Sequence, residues 1–235
     1  MITTILFDLD GTLLPMDQET FIQAYLTGLT QKAAGAGYDS AQVPAAIWAG
    51  TKAMVKNDGT CTNEDVFWST FSSLCGRDAK QDIAVFEEFY RKEFQQIRQV
   101  CGYDPGAAEA IRSIKEMGFR IALATNPLFP AIATHSRARW AGLNPEDFEL
   151  ITTYEESRHC KPNPAYYQDV LNALGVTAAE CVMVGNDVDE DMVAEKQGMQ
   201  VFLLTDCLIN QSGSDISQYP HGSFPELMHF IRNLK

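Results

Sequence analysis

Short apolar runs alternate with longer amphipathic stretches over most of the chain. An apolar run rich in β-branched and aromatic residues indicates a buried strand, whereas apolar residues that recur every three to four positions indicate a helix. These patterns predict strands at residues 2–7, 119–124, 181–184 and 200–204, a weak strand at 148–152, and helices at 105–117, 129–140, 164–174, 188–197 and 224–234. The stretch 210–222 is predicted as a surface loop. Such alternation is typical of an α/β fold with a parallel, Rossmann-like sheet.

Residues 16–101 have a different pattern. They contain no convincing strand, and their aromatic residues follow helical spacing, as in Phe21, Tyr25 and Leu29 or in Phe86, Phe89, Tyr90, Phe94 and Ile97. Polar and Gly-containing turns at 35–37, 57–59 and 76–78 separate the predicted helices. We therefore predict a helical cap domain at 16–101, inserted into an α/β core formed by 1–15 and 102–235. An aromatic stripe of this kind is more often core than a ligand platform.

Composition and charge exclude several classes of partner. The 235 residues include 18 Lys and Arg against 31 Asp and Glu, a net charge of −13. Nucleic acids and anionic membranes need a basic face, so neither is expected as a partner. The six cysteines are scattered without a Cys-x-x-Cys pair, and the chain opens directly into a strand without a basic leader. These features predict a cytoplasmic protein with reduced cysteines.

Two carboxylates, Asp8 and Asp10, follow the first predicted strand, and Gly11 allows a sharp turn after them. In open α/β sheets, ligands bind beyond the carboxyl ends of the strands. Two neighbouring carboxylates repel unless a cation lies between them or one is protonated. The pair alone fits a solvated turn about as well as a metal site.

Three later stretches place polar groups at equivalent positions. Thr125 and Asn126 follow the second main strand, and a hydroxyl with neighbouring amides can hold a phosphate oxygen. Lys161 precedes Pro162 and a predicted helix start. After the strand at 181–184 comes an acidic cluster, Gly185-Asn186-Asp187-Val188-Asp189-Glu190-Asp191.

Together the four motifs resemble those of the haloacid dehalogenase superfamily, and the cap position resembles that of its phosphatases with a helical cap. The resemblance implies a Mg²⁺-dependent phosphatase acting on a small phosphorylated metabolite. It implies that Asp8 is the nucleophile, that Asp10 is the general acid and base, and that Lys161, Thr125 and Asn126 hold the phosphoryl group. It also implies metal ligation by Asp8, by the backbone carbonyl of Asp10 and by the acidic cluster. The cap would carry substrate choice and close over the strand ends.

The acidic cluster departs from the family's commonest form, in which an acid follows the glycine directly. Here that position is Asn186, so either Asp187 and Asp191 or Asn186 and Asp191 face the metal. If a helix begins at Val188, Asp187 and Asp191 share one face and Asp189 points to solvent. We therefore predict Asp187 and Asp191 as metal ligands.

Other activities of the same scaffold stay open. A phosphomutase would have to re-bind its intermediate, and a phosphonate hydrolase would need a cap lysine that forms a Schiff base. Lys52, Lys56, Lys80 and Lys92 are in the cap, and nothing singles one out. A non-catalytic binding protein is disfavoured because Asp8, Asp10, Lys161 and Asp191 are all present. A dehalogenase is disfavoured because that branch lacks the second aspartate.

Overall fold

The computed structural model describes residues 1–234 and contains one five-stranded parallel sheet. The strands lie in the order β2-β1-β3-β4-β5, and their bounds are β1 Thr4–Phe7, β2 Arg120–Leu123, β3 Cys181–Gly185, β4 Gln200–Leu204 and β5 His221–Gly222. Phe7 pairs with Leu123 on one side and with Val184 on the other, so the carboxyl ends of β2, β1 and β3 lie level. The predicted α/β fold with a parallel sheet is confirmed.

Apolar side chains cover both faces of the sheet. Ile5 and Phe7 belong to one buried cluster, and Leu6 belongs to a second cluster on the opposite face. The helices that pack on the sheet are α5 Pro105–Glu116, α6 Ala131–Trp140, α7 Pro164–Leu174 and α8 Phe224–Arg232. Burial on both faces explains why the strands are continuous apolar runs.

Local signals define most of these helix ends. The Asp104 carboxylate accepts from the Gly106 amide, and the Asn163 side chain accepts from the Ala165 amide. Ser223 and Glu226 form a capping box before α8. Gly175, in the left-handed conformation, follows α7. These contacts confirm the predicted helix starts at Pro105, Pro164 and Phe224.

Between β1 and β2 the chain is helical. This segment contains α1 Gln18–Gly35, α2 Val43–Val55, α3 Asn63–Cys75 and α4 Ile83–Arg91, with 3₁₀-helices at Ala79–Asp82 and Glu93–Val100. Met16 and Cys101 form an antiparallel bridge where the segment begins and ends. Phe94 stacks on Trp140 of α6 with ring centroids 5.0 Å apart, so the segment shares its apolar core with the sheet domain. The predicted domain bounds stay a prediction.

Three predicted elements differ from the structure. The helix predicted at 188–197 is a turn followed by a 3₁₀-helix at Met192–Gln197, because the Val188 amide donates to the Ile209 carbonyl and leaves the helical path. The weak strand at 148–152 is a single bridge from Ile151 to Leu123. The stretch 210–222, predicted as a surface loop, contains β5, which has no apolar run to reveal it and pairs with the end of β4. Across residues 1–234, no helix is long and apolar enough to span a bilayer.

Candidate active site

The carboxyl ends of β1, β2 and β3 open onto one cavity of about 160 Å³. Its polar lining comes from Asp8 and Asp10 after β1, from Thr125 and Asn126 after β2, and from the chain after β3. The helical segment covers it with Met16, Gln18, Phe21 and Ile22. The residues after β3 that line it are Asn186, Asp187, Glu190 and Asp191. The structure thus brings together the predicted residues of the strand ends, since level parallel strands end at one edge.

Lys161 lies beneath this cavity and joins two of its carboxylates. The Lys161 side chain is 0% exposed, and its ammonium donates to Asp8 Oδ1 at 2.9 Å and to Asp191 Oδ1 at 2.6 Å. Burial lowers the pKa of this ammonium, but the Asp191 and Asp8 carboxylates raise it well above the usual range of lysine. Lys161 therefore stays charged and offsets part of the negative charge at the strand ends.

Asp191 folds back over the end of β3. Its Oδ2 accepts from the Asp187 amide at 3.1 Å, and its side chain is 1% exposed. Burial raises the pKa of the Asp191 carboxyl, and the charge of Lys161 offsets this only in part. A Cβ atom on Gly185 would overlap the Asp191 carboxylate, so this approach requires glycine at the strand end.

Asp10 is bound by a residue that the sequence analysis missed, Arg137. The Arg137 guanidinium is buried within α6, donates to Asp10 Oδ2 and stacks 4.2 Å from the centroid of the Phe129 ring. The Asp10 side chain is 21% exposed, and it faces the cavity. Burial raises the pKa of Asp10 to about 6, although the charge of Arg137 acts to lower it. The one sequence signal for the burial of Arg137 is its spacing, because it lies four residues after Ala133 on the buried face of α6.

Asn186 fixes the turn after β1. Its Oδ1 accepts from the Thr12 hydroxyl at 2.8 Å, its Nδ2 donates to the Cys207 carbonyl at 2.7 Å, and its side chain is buried. Gly11 has φ of +83°, and a Cβ there would overlap the Asn186 amide. Both polar atoms of the Asn186 side chain thus have protein partners.

The acidic cluster after β3 forms a turn, so the argument from a shared helix face was wrong for Asp187 and Asp191. The Asp187 Oδ1 accepts from the amides of Asp189 and Glu190 at 2.7 and 3.0 Å, and the Asp191 amide donates to the Asp187 carbonyl. The turn still brings Asp187 and Asp191 to the same cavity, while the Asp189 carboxylate accepts from the Ser212 amide outside it.

Glu190 was not singled out from the sequence, yet it lines the cavity. Its carboxylate accepts from Asn126 Nδ2 at 3.0 Å, and burial raises the pKa of Glu190 to about 7. The Asn126 Oδ1 has no partner. The backbone carbonyl of Thr125 accepts from the Thr152 and Tyr166 hydroxyls, which fixes the end of β2.

The donor set fits a small divalent cation that keeps several water ligands. Within residues 1–234, no three acidic, His or Cys side chains converge as a preformed cage. Mg²⁺ does not need such a cage, since it usually takes one or two carboxylates, water and phosphate oxygens. Five carboxylates line the cavity against the two cations Lys161 and Arg137. The buried Asp10 Oδ1 has no protein partner.

Comparisons with known proteins show the family of this chain. Residues 2–197 match the family model described as a haloacid dehalogenase-like hydrolase. The phosphoglycolate phosphatase of Colwellia psychrerythraea is 27% identical over 98% of this chain and 96% of its own. The ribulose-1,5-bisphosphate 5-phosphatase of Halopiger xanaduensis is 28% identical over 86% and 84%.

Solved structures share the fold at lower identity. A haloacid dehalogenase-family phosphatase from Thermococcus onnurineus superimposes with a TM-score of 0.60 at 20% identity, covering 98% of both chains. A 2-haloacid dehalogenase from Pseudomonas syringae superimposes with a TM-score of 0.64 at 17% identity, covering all of both chains. At these identities the likeness establishes the fold, so the choice among chemistries depends on the site.

Proposed function

This chain belongs to the haloacid dehalogenase-like hydrolase family and is an enzyme of its phosphatase branch, and we propose that it hydrolyses a small phosphorylated metabolite. We propose that the reaction depends on Mg²⁺ and passes through an aspartyl-phosphate intermediate. The observation that carries this proposal is the environment of Asp8. Its carboxylate lies in the cavity wall with an exposure of 11%, and Lys161 holds one oxygen at 2.9 Å. A fixed, partly desolvated carboxylate next to a buried cation is suited to attack phosphorus in line.

Asp10 is positioned to handle the protons. In the first step Asp8 bonds to phosphorus, the bond from phosphorus to the leaving oxygen breaks, and Asp10 gives that oxygen its proton. In the second step Asp10 takes a proton from water, whose oxygen attacks phosphorus and frees Asp8 and inorganic phosphate. A carboxyl with a pKa near 6 can both hold and release a proton close to neutral pH.

Asp8, Asp191 and the backbone carbonyl of Asp10 are the groups that we propose to hold Mg²⁺, with Asp187 close to the same ion. When bound, the cation would offset negative charge on the carboxylates and on the phosphoryl oxygens. The crowding of Asp8 and Asp191 around Lys161 supports this, because one ammonium offsets only one of the two negative charges. We propose that Thr125, Asn126 and Lys161 stabilise the phosphoryl group.

The other chemistries have less support. A phosphonate hydrolase needs a cap lysine in the site, but none of the lysines of the helical segment lines the cavity among the described residues. Lys80 pairs with Asp65 and Lys92 pairs with Glu88, both at the surface. We also propose a reducing compartment such as the cytoplasm, since all six cysteines are free.

Phosphate release from p-nitrophenyl phosphate and from a panel of phosphorylated metabolites, with and without Mg²⁺, tests the proposal. We expect Asp8→Asn to lower kcat by at least about 10³-fold, because an amide of the same shape cannot attack phosphorus. The matched control is Asp206→Asn, which makes the same change at an exposed position after β4. Near-native turnover by Asp8→Asn, in protein that mass spectrometry finds free of deamidation, would refute the mechanism.

A further inference from the structure

A second cavity of about 140 Å³ lies beside the catalytic cavity, between the helical segment and the sheet domain. Its walls are mainly aromatic and include Phe67, Trp68, Tyr90 and Tyr154, all buried. Trp48, which is 50% exposed, is at its rim. This combination of a buried aromatic wall and an exposed rim is typical of a binding cavity rather than of a packing defect.

The second cavity shares a wall with the catalytic cavity. Ile22 of α1 and Leu128 and Phe129 of the loop after β2 line both. Phe129 also stacks on Arg137, which binds Asp10. The two cavities are therefore adjacent, and a leaving group that reaches the aromatic one has to pass between these three side chains.

Along the described chain, no charged side chain lines the aromatic cavity. Its polar groups are mostly partnered within the protein: the Tyr25 and Tyr90 hydroxyls lie 2.9 Å apart, and Trp68 Nε1 donates to the Tyr154 hydroxyl at 3.3 Å. Burial raises the pKa of Tyr25 to about 12, so this hydroxyl is neutral at physiological pH. The cavity thus offers contact area and a few hydroxyls but no counter-ion.

We propose that the aromatic cavity binds the leaving group of the substrate, and that this group is an uncharged aromatic alcohol about one ring in size. The inference rests on the proposed phosphatase function and specifies its substrate class. An apolar cavity of about 150 Å³ accommodates a benzene molecule, so a single ring matches the available space. A ring packed against Trp68 and Tyr90 gains both burial and aromatic contacts.

The same geometry disfavours a leaving group with a second negative charge. Such a group would lie in a cavity without a cation, next to a catalytic cavity whose lining includes Asp10, Asp187 and Glu190. Burying an ion without a partner costs far more than burying a ring yields. The substrate preference should therefore differ from that of a phosphatase of an acidic metabolite.

Three phosphate esters test the inference: benzyl phosphate, 4-carboxybenzyl phosphate and ethyl phosphate. The first two differ by one remote carboxylate, so their chemical reactivity is nearly the same, and the third lacks the ring. With the full-length protein and Mg²⁺, we expect kcat/KM for benzyl phosphate to exceed that for either of the others by at least about tenfold.

A substitution that fills the cavity links this preference to the site. Thr51 of α2 lines the aromatic cavity, and Val55, one turn later, is exposed and lines neither cavity. We expect Thr51→Phe to lower the ratio of kcat/KM for benzyl phosphate to that for ethyl phosphate by at least about tenfold. We expect Val55→Phe to leave the ratio unchanged, and circular dichroism checks that both variants fold.

The outcomes separate the two proposals. Equal or better hydrolysis of 4-carboxybenzyl phosphate would overturn the substrate class, while the Mg²⁺-dependent hydrolysis itself would still support the phosphatase function. The substrate class would also be overturned if Thr51→Phe folds but leaves the ratio of kcat/KM for benzyl phosphate to that for ethyl phosphate unchanged. If wild-type protein hydrolyses none of the three esters but releases phosphate from the metabolite panel with Mg²⁺, the substrate class is overturned and the phosphatase function stands. No phosphate release from any of these compounds would overturn both proposals.

Discussion

Replacing Arg137 with methionine should destabilise the protein by about 3 kcal/mol at pH 8. The change removes one partner of a buried ion pair, and leaving the other charge unpaired typically costs about 3–5 kcal/mol. We take the lower end because the Asp10 side chain keeps 21% exposure toward the cavity. Methionine also retains much of the apolar contact with Phe129, which limits the loss of packing.

A double-mutant cycle isolates the ion pair from the packing. Urea unfolding of Arg137→Met, Asp10→Asn and the double variant should give a coupling free energy of about 2 kcal/mol, because the second change removes the charge that the first leaves unpaired. Arg139→Met is the matched control, since Arg139 is exposed on the same helix. It should cost less than about 0.5 kcal/mol.

The loss of stability caused by Arg137→Met should depend on pH in a defined direction. Arg137 lowers the pKa of Asp10, so its removal raises that pKa further above 6. The cost of Arg137→Met is then fully present when Asp10 is ionised in both proteins, and it shrinks as the pH falls toward 6 and below. A coupling free energy under about 0.5 kcal/mol, or an equal cost at pH 5 and pH 8, would refute this account.

Three further predictions concern the charges around the site. Replacement by alanine should raise the Mg²⁺ concentration needed for activity most at Asp191 and next at Asp187. The same replacement should have little effect at Asn186 and Asp189, as activity assays across Mg²⁺ concentrations would measure. A larger effect at Asn186 than at Asp187 would favour the other register. Without Mg²⁺, the raised pKa values of Asp10 and Glu190 mean that the folded state binds protons more tightly than the unfolded state. The free energy of unfolding should therefore fall as the pH rises from about 4 to 7. The increase in Tm on adding Mg²⁺ should be larger at pH 8 than at pH 5. A metal-free Tm that rises between pH 4 and pH 7 would contradict this prediction. Lys161→Met should lower the metal-free Tm and enlarge the Tm increase on adding Mg²⁺, as scanning calorimetry would measure. If that Tm increase is unchanged, Lys161 and the cation do not share the same carboxylates.

The parts of the fold that depend on local signals could be predicted from the sequence. The strands β1 to β4 are buried on both faces and so have apolar runs, and Asp104, Asn163 and Ser223 cap the helices that follow them in the chain. The motif residues could be assigned to one edge of the sheet because each directly follows a strand or a strand-to-helix loop. Position in a parallel sheet converts this local information into spatial proximity.

The parts of the fold and of the site that depend on residues distant in sequence could not be predicted in this way. Arg137 is 127 residues from Asp10, and a lone arginine in a predicted helix gives no indication of a buried carboxylate. The turn at 187–191 depends on hydrogen bonds that the Asp187 carboxylate accepts from the Asp189 and Glu190 amides and on the pairing of Asp187 with Ile209. Asp, Glu and Val in series favour a helix start on local grounds, so tertiary contacts override the pattern here. The second cavity is formed by four helices and two loops, and no single stretch of sequence indicates it.

The position of β1 between β2 and β3 has a consequence for synthesis of the chain. Thr4 pairs with Arg120 and with Cys181, so β1 leaves the ribosome before both of the strands that pair with it, and β3 covers its second edge last. At about 5–20 residues per second, the chain needs roughly 10–35 s to extend from β1 to β3. During that interval an apolar strand has an unpaired edge, while the helices of residues 16–101, whose contacts are mostly closer in sequence, can already pack. Nascent chains stalled before residue 181 should therefore bind chaperones that recognise extended apolar segments, and release from them should follow the emergence of β3.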